Sequence, residues 1–377
     1  MPRLKYTASP IALVQFAYPV AALAQRLHSL DVFRGLTIAF MILVNNPGSW
    51  KTTYAPLLHA EWHGWTVTDM VFPSFLWIVG VALTLSFARR VDEGQPRGRL
   101  LAHTCRRAAL LFLLGLFLNG FPAYTLATLR IPGVLQRIAV CYLIAAAIYL
   151  YTGVRGRIAA VAVVFGLYWL LMHPGGYEKD TNFARHVDSL FLSGHMWSAT
   201  KTWDPEGIVS TLPAIATALF GVLAGDLLRT GLDAARKTAW LYTSGCALLT
   251  AGLLWDLAMP INKNLWTNSY ALFAAGFSTL VFAACYWFLD VLGWRRGTRP
   301  LALYGLNAIA VYVLSGLFAR AMGMITLADT PLKAHVFAAF ERFANPYNAS
   351  LLYALLNVTV LYGAAWVMHR KGWYLRI

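Results

Sequence analysis

Apolar runs of about 20 residues recur along the whole chain, and a run of that length is what an α-helix needs to cross the hydrocarbon core of a bilayer. They fall near 32–49, 67–88, 105–121, 133–152, 157–173, 207–228, 238–258, 267–290, 300–321 and 350–369. The expectation is therefore an all-α, polytopic transmembrane helix bundle of about ten spans. Composition agrees: hydrophobic residues make up 59% of the 377 and charged residues only 12%, with mean hydropathy +0.57, outside the soluble range.

An even number of spans puts both termini on one side, and the basic residues say which. Twenty lysines and arginines fall in the tails and in every second connection, against eight in the alternate connections. Positive residues accumulate in the cytoplasm, so both termini are expected there. This distribution also accounts for the net charge of +15 without nucleic acid, which is not an expected partner.

Residues 1–26 resemble a secretory signal in Arg3, Lys5, the apolar run from Ile11 and the Ala22-Leu23-Ala24 triplet. Gln15 and Pro19 interrupt that run, and cleavage would contradict the charge bias. They are read as an interfacial or poorly ordered tail, and 27–377 as a single transmembrane domain. Cys105, Cys141, Cys246 and Cys285 lie in or beside apolar runs and read as small hydrophobes. No internal repeat of the inverted-transporter kind is visible.

Polar, chemistry-bearing sequence concentrates in the connections expected to face outward. The first is bounded by Asn45 and Asp69 and contains His59-Ala60-Glu61-Trp62-His63. Ionisable groups at the mouth of a membrane helix pair suggest a site. His59 is either an interfacial histidine bonded to a neighbour or a general base oriented by Asp69 ten residues on. The second reading requires the second helix to start near Thr66 and fold back on its own loop. Asp69 alternatively serves as a helix-start charge, and Asn45 is either a helix cap or an oxyanion donor. His59 and His63 share a helix spacing, but the glutamate is misplaced for a zinc protease and no third ligand is near, so no metal is expected.

Arg130 and Arg137 open the fourth span, and Arg137 is expected to pair with Asp69, Asp204, Glu206 or an anionic ligand. Asp204-Pro205-Glu206 reads as a helix start with Asp204 as cap, or as carboxylates for an amino-bearing substrate. Asn262, Lys263 and Asn264 suit sugar hydroxyls or phosphate. Trp266 reads as an interface anchor, and Trp62, Trp65, Trp197 and Trp203 as rings that stack on a sugar.

Six motifs, LDVFRG, HAEWHGWTVTDMVFPSF, RIPGVLQRIAVCY, DPEGIVSTLPAI, INKNLWTNSYAL and LYGLNAIAVYV, taken in order from about Leu27 to Tyr312, resemble the heparan-α-glucosaminide N-acetyltransferase family. The likeness is to the ten-helix membrane core of bacterial relatives, without the lumenal domain of the animal enzyme. It implies transfer of acetyl from cytoplasmic acetyl-CoA to the amine of a glucosamine-type sugar across a membrane, in bacteria the inner membrane with the site open to the periplasm. It implies His59, Asn45 and Asp69 as catalytic residues, and it admits a homodimer. Arg130, Arg137, Asp204, Glu206, Asn262, Lys263, Asn264 and Trp266 are then the candidates for substrate binding. Arg34, Arg106 and Arg107 are candidates for CoA phosphates by charge and position. Two alternatives stay open: an amino-sugar permease, and an O-acetyltransferase of envelope glycans.

Overall fold

The computed structural model describes residues 27–375, so the tail assigned to 1–26 lies outside it. The chain folds as a bundle of helices: α1 (His28–Asn45), α2 (Val71–Asp92), α3 (Arg97–Gly120), α4 (Val134–Tyr151), α5 (Val154–Met172), a short α6 (Phe183–Phe191), α7 (Thr211–Leu228), α8 (Ala234–Asp256), α9 (Asn268–Tyr286), α10 (Arg299–Leu306), α11 (Ala308–Met324), α12 (Leu332–Glu341) and α13 (Pro346–Arg370). A two-residue hairpin, Thr326–Leu327 with Thr330–Pro331, precedes α12.

Among the described residues, seven helices are long and apolar enough to cross a membrane: α2, α3, α4, α5, α7, α9 and α13. An eighth follows if α10 and α11, bent by 86° where they meet, form one span. The remaining two expected spans are present as α1 and α8 but are not among the seven. Asp31 and Arg34 on α1, and Arg236, Lys237, Thr243 and Ser244 on α8, dilute their apolar character.

Packing follows the logic of membrane interiors, where small residues let backbones touch and polar side chains bond across helices. Gly80 of α2 and Gly221 of α7 mark one such crossing. A Cβ on Gly80 would sit 2.0 Å from the Ala218 carbonyl oxygen, and one on Gly221 2.0 Å from that of Trp77. Nearby, Thr84 donates to the Val222 carbonyl at 3.2 Å and Ser74 meets Ser278 at 2.9 Å. The same α2–α7–α9 centre holds the fully buried Trp77, Trp266, Tyr270 and Phe282.

Local signals explain the ends that matter. The first free amides of α1, His28 and Ser29, donate to the Asp290 carboxylate at 3.2 and 3.1 Å, which satisfies groups a helix start leaves unpaired. At its other end Asn46-Pro47-Gly48 stops α1, and Asn46 folds back to donate to the Ile42 carbonyl at 2.8 Å.

Candidate active site

The end of the bundle where α1 stops and α2 begins carries three segments that meet: the 46–66 loop, the 174–207 connection and the 257–267 turn. Two threonines pin the first loop onto the start of the next helix. Thr66 donates to the Leu58 carbonyl at 2.6 Å and Thr68 to that of Pro56 at 3.2 Å. A short helical turn, Val67–Met70, then leads into α2, so the chain folds back on its own loop as the general-base reading requires.

That return places Asp69, 1% exposed, against His59. Its Oδ1 lies 2.6 Å from His59 Nδ1, while Oδ2 accepts from the Ala60 and Thr66 amides at 3.0 and 2.9 Å and lies 3.2 Å from the Thr66 hydroxyl, whose hydrogen goes to the nearer Leu58 carbonyl. A carboxylate so placed only accepts, so Nδ1 carries the hydrogen and Nε2 of the neutral ring is left with its lone pair. Beneath it the Tyr270 hydroxyl donates to the Asp69 carbonyl at 2.5 Å.

Lys263 completes this group. Its Nζ is 3.0 Å from His59 Nδ1, 3.3 Å from Nε2 and 3.7 Å from Asp69 Oδ1. An atom nearly equidistant from both ring nitrogens at contact range lies off the ring plane, because within it the intervening carbon would be in the way. The turn that aims it is well determined: Asn262 accepts from the Leu265 amide at 2.9 Å, Thr267 caps the Pro260 carbonyl at 2.7 Å, and the Gly64 amide donates to the Ile261 carbonyl at 2.8 Å. Burial is the main influence on the Lys263 ammonium and lowers its pKa, with Asp69 opposing.

His59, Asn45 and Lys263 open onto a cavity of about 560 Å³. Its deep part is apolar, with Met41 and Val44 of α1, Phe72 and Phe75 of α2, Leu135 and Ile138 of α4, and Ile309 and Tyr312 of α11. Its rim is polar and aromatic: Glu61, Arg130, Lys179, Trp197, Trp203, Glu206 and Asn264. Asn45, at the exposed end of α1, lines the same space.

Arg130 is clamped by both carboxylates of the 204–206 segment. Its Nε and Nη2 donate to Asp204 at 2.8 and 2.6 Å, and Nη2 also to Glu206 at 2.5 Å. Burial works against the cation, but the Asp204 and Glu206 hydrogen bonds and charges outweigh it and raise its pKa. The 204–208 backbone is itself held by Asp188 of α6, whose two oxygens accept from the Asp204 and Ile208 amides at 3.1 and 3.0 Å. Burial pushes the Asp188 carboxyl up to about 6 despite those bonds.

Several expectations are corrected by these contacts. Asp204 caps a turn rather than a helix: α7 begins at Thr211, because Asp188 ties the intervening backbone to α6. Arg137 pairs with none of the expected carboxylates. It donates to the Gly207 carbonyl at 3.2 Å and to the Ser210 hydroxyl, lies over the Trp266 ring at 5.1 Å, and leaves Nε and Nη1 without hydrogen-bond partners. Trp266 is no interface anchor, since it is fully buried and bonded to the Thr217 hydroxyl at 3.1 Å. Asn262 is buried and holds its own turn. Of the eight candidate substrate residues, Arg130, Glu206, Lys263 and Asn264 line the cavity, and Arg137, Asp204, Asn262 and Trp266 stand behind it.

Among the tryptophans, Trp197 and Trp203 line the cavity, whereas Trp62 packs edge-on against Trp203 at 5.2 Å and Trp65 lies tilted against Phe273 at 4.6 Å. His63 lies 3.3 Å from Glu178 and 3.4 Å from Asn262, partners that His59 does not share. Arg34, Arg106 and Arg107 are not in the cavity wall: Arg34 donates to Asp31 at 3.1 Å near the far end of α1, Arg107 lies 5.3 Å over the Tyr142 ring, and Arg106 is exposed on α3. Lys179 had no sequence signal beyond its residue type, and Tyr312 was covered only by the LYGLNAIAVYV motif.

Residues 26–254 match the model of a family described as heparan-alpha-glucosaminide N-acetyltransferase, catalytic. Two curated relatives carry the name heparan-alpha-glucosaminide N-acetyltransferase. The Homo sapiens protein is 32% identical over 78% of this chain and 53% of its own length, and the Mus musculus protein 29% identical over 77% and 53%. The chain thus spans about half the length of these relatives. The family match takes in Asn45, His59, Asp69, Arg130 and Asp204, and ends nine residues before Lys263.

Proposed function

The chain belongs to the heparan-α-glucosaminide N-acetyltransferase family, and from that premise we propose that it is a transmembrane acetyltransferase. In this reading it moves acetyl from cytoplasmic acetyl-CoA to the amine of a glucosamine-type sugar on the extracytoplasmic side. The observation that carries the proposal is the 2.6 Å contact between His59 Nδ1 and Asp69 at the wall of a cavity, which orients a base with Nε2 available.

His59 Nε2 takes the proton of the sugar amine as its nitrogen attacks the thioester carbonyl, and returns it to the departing CoA thiolate. The Asn45 amide donates to the oxygen that becomes negative in the tetrahedral intermediate. The apolar depth of the cavity suits the pantetheine arm and the acetyl methyl. The rim, with Trp197 and Trp203 beside Glu206 and Asn264, suits a sugar that bears both a ring face and hydroxyls. A two-step route through an acetyl-histidine uses the same residues. Seven helices long and apolar enough to cross, the bent α10–α11 pair, and α1 and α8 in the places of the remaining two apolar runs, together with the charge distribution, support a reading of ten crossings with both termini cytoplasmic, in a bacterium the inner membrane with the site towards the periplasm.

Purified protein given labelled acetyl-CoA and glucosamine tests the reading. Formation of N-acetyl sugar that is lost in His59→Ala, with the variant still folded, supports it. Sugar binding or uptake that is indifferent to acetyl-CoA and to His59→Ala would replace it with the permease.

A further inference from the structure

The active-site group contains a primary amine of its own. Lys263 Nζ lies within 3.3 Å of both His59 ring nitrogens, its side chain is 17% exposed, and it lines the same cavity as His59 and Asn45. The other lysine on that cavity, Lys179, is exposed and has no such contact with His59. A sugar amine poised for attack must reach the in-plane lone pair of His59 Nε2, and the Lys263 amine, over the face of that ring, needs only a side-chain rotation to do so.

We propose that Lys263 is an acyl acceptor: when acetyl-CoA is bound and no sugar amine occupies the site, the acetyl group passes to Lys263 Nζ. The inference rests on the acetyl-transfer reading above. The Nζ lone pair adds to the thioester carbonyl, forming the C–N bond. The C–S bond breaks, the proton lost from nitrogen passes to His59 Nε2, and from there it goes to the CoA thiolate. The products are an acetyl-lysine and free CoA, so atoms and charge balance without another reactant.

Three features favour the step. The 260–267 turn is rigidly held, with Trp266 at φ 50° among its hydrogen bonds, so the Lys263 backbone is fixed and only its side chain need move. Burial lowers the pKa of the ammonium, which enlarges the fraction of nucleophilic amine. The base that would serve the sugar is in contact with it. The product is an amide, a much poorer acyl donor than a thioester, so acetyl-lysine is a dead end rather than an intermediate. It removes the cation beside Asp69 and places an acetyl group in the mouth of the cavity. Donor without acceptor should therefore inactivate the protein progressively, and bound sugar should protect it.

The full chain in detergent is incubated with labelled acetyl-CoA alone, and the peptide containing Lys263 is followed by mass spectrometry while the same preparation is assayed for sugar acetylation. The expected result is one acetyl group on Lys263, accumulating in step with loss of sugar-acetylating activity and slowed by added glucosamine. His59→Ala should reduce labelling of Lys263 by about 10²-fold or more while leaving chemical background at Lys179 and Lys201 unchanged. Sugar acetylation with Lys263 unmodified after complete donor turnover overturns the inference and leaves the functional reading intact. Equal labelling of Lys263 in His59→Ala overturns it as non-enzymatic background. Label on His59 instead of Lys263 overturns it in favour of the two-step route. Absence of both sugar and lysine acetylation removes the functional reading and the inference together.

Discussion

Replacing Asp69 with asparagine isolates what the carboxylate does for His59. Asp69 Oδ2 accepts two backbone amides, whereas Oδ1 accepts from His59. An asparagine has one accepting oxygen, and it settles where two backbone donors converge, because orienting the NH2 group there would leave both amides unpaired. The NH2 group then faces His59 Nδ1 and forces it to accept, so the hydrogen moves to Nε2 and the base presents a donor to the substrate. The same exchange in a Ser-His-Asp triad lowers turnover about 10⁴-fold through the wrong tautomer. General-base catalysis is worth about 10²–10⁴ in rate, or about 3–5 kcal/mol of barrier, so D69N should lower kcat by that factor. Thermal stability should change little, since the Oδ2 contacts survive. Steady-state acetylation of glucosamine, with thermal unfolding in detergent as the control, decides it. A folded D69N chain with kcat within tenfold of the parent would refute the tautomer argument.

Other contacts yield further expectations. Arg130→Ala strands the buried Asp204 beside Glu206 and should destabilise the chain by about 3–5 kcal/mol, seen as a large fall in thermal midpoint; a change near zero would mean the clamp is not structural. The Asp188 carboxyl titrates at about 6 instead of 3.8, so as pH rises between these values the unfolded chain loses its proton first. Stability therefore falls through that window, by about 3 kcal/mol for a shift of this size. Asp188→Asn should flatten this part of the stability–pH curve, and a curve of unchanged shape would show that another group is responsible. Asn45→Ala should lower kcat about 10²–10³-fold with the thermal midpoint unmoved, whereas a matching loss of stability would make Asn45 a helix cap only.

Most helices were legible because their apolar runs are long, and no packing detail is needed to see it, whereas the 86° bend between α10 and α11 was not. Their ends were less so. Asp204-Pro205-Glu206 has the local chemistry of a helix start, yet Asp188, sixteen residues earlier and without a motif of its own, takes the amides of Asp204 and Ile208 and delays the helix. Trp266 has the composition of an interface anchor, but its left-handed backbone turn, φ 50°, accompanies a ring buried in the core. The His59–Asp69 pair was readable since ten residues of loop and two threonine pins are local matters. Lys263, 204 residues from His59 in the chain, was visible only as a polar turn, and nothing local indicated that it would lie over the histidine ring. Arg34, Arg106 and Arg107 were candidates by charge and position along the chain, which say where a residue lies along the membrane normal but not which helix face it occupies.

The central claim is that one site joins a donor on one side of a membrane to an acceptor on the other. Sealed vesicles bearing the protein with its basic connections outward, loaded with glucosamine and given labelled acetyl-CoA outside, test it directly. Labelled N-acetylglucosamine accumulating inside the vesicles, and absent with His59→Ala, is the predicted result. Unmodified glucosamine leaving the vesicles, or acetylation only when donor and sugar share a compartment, would contradict it.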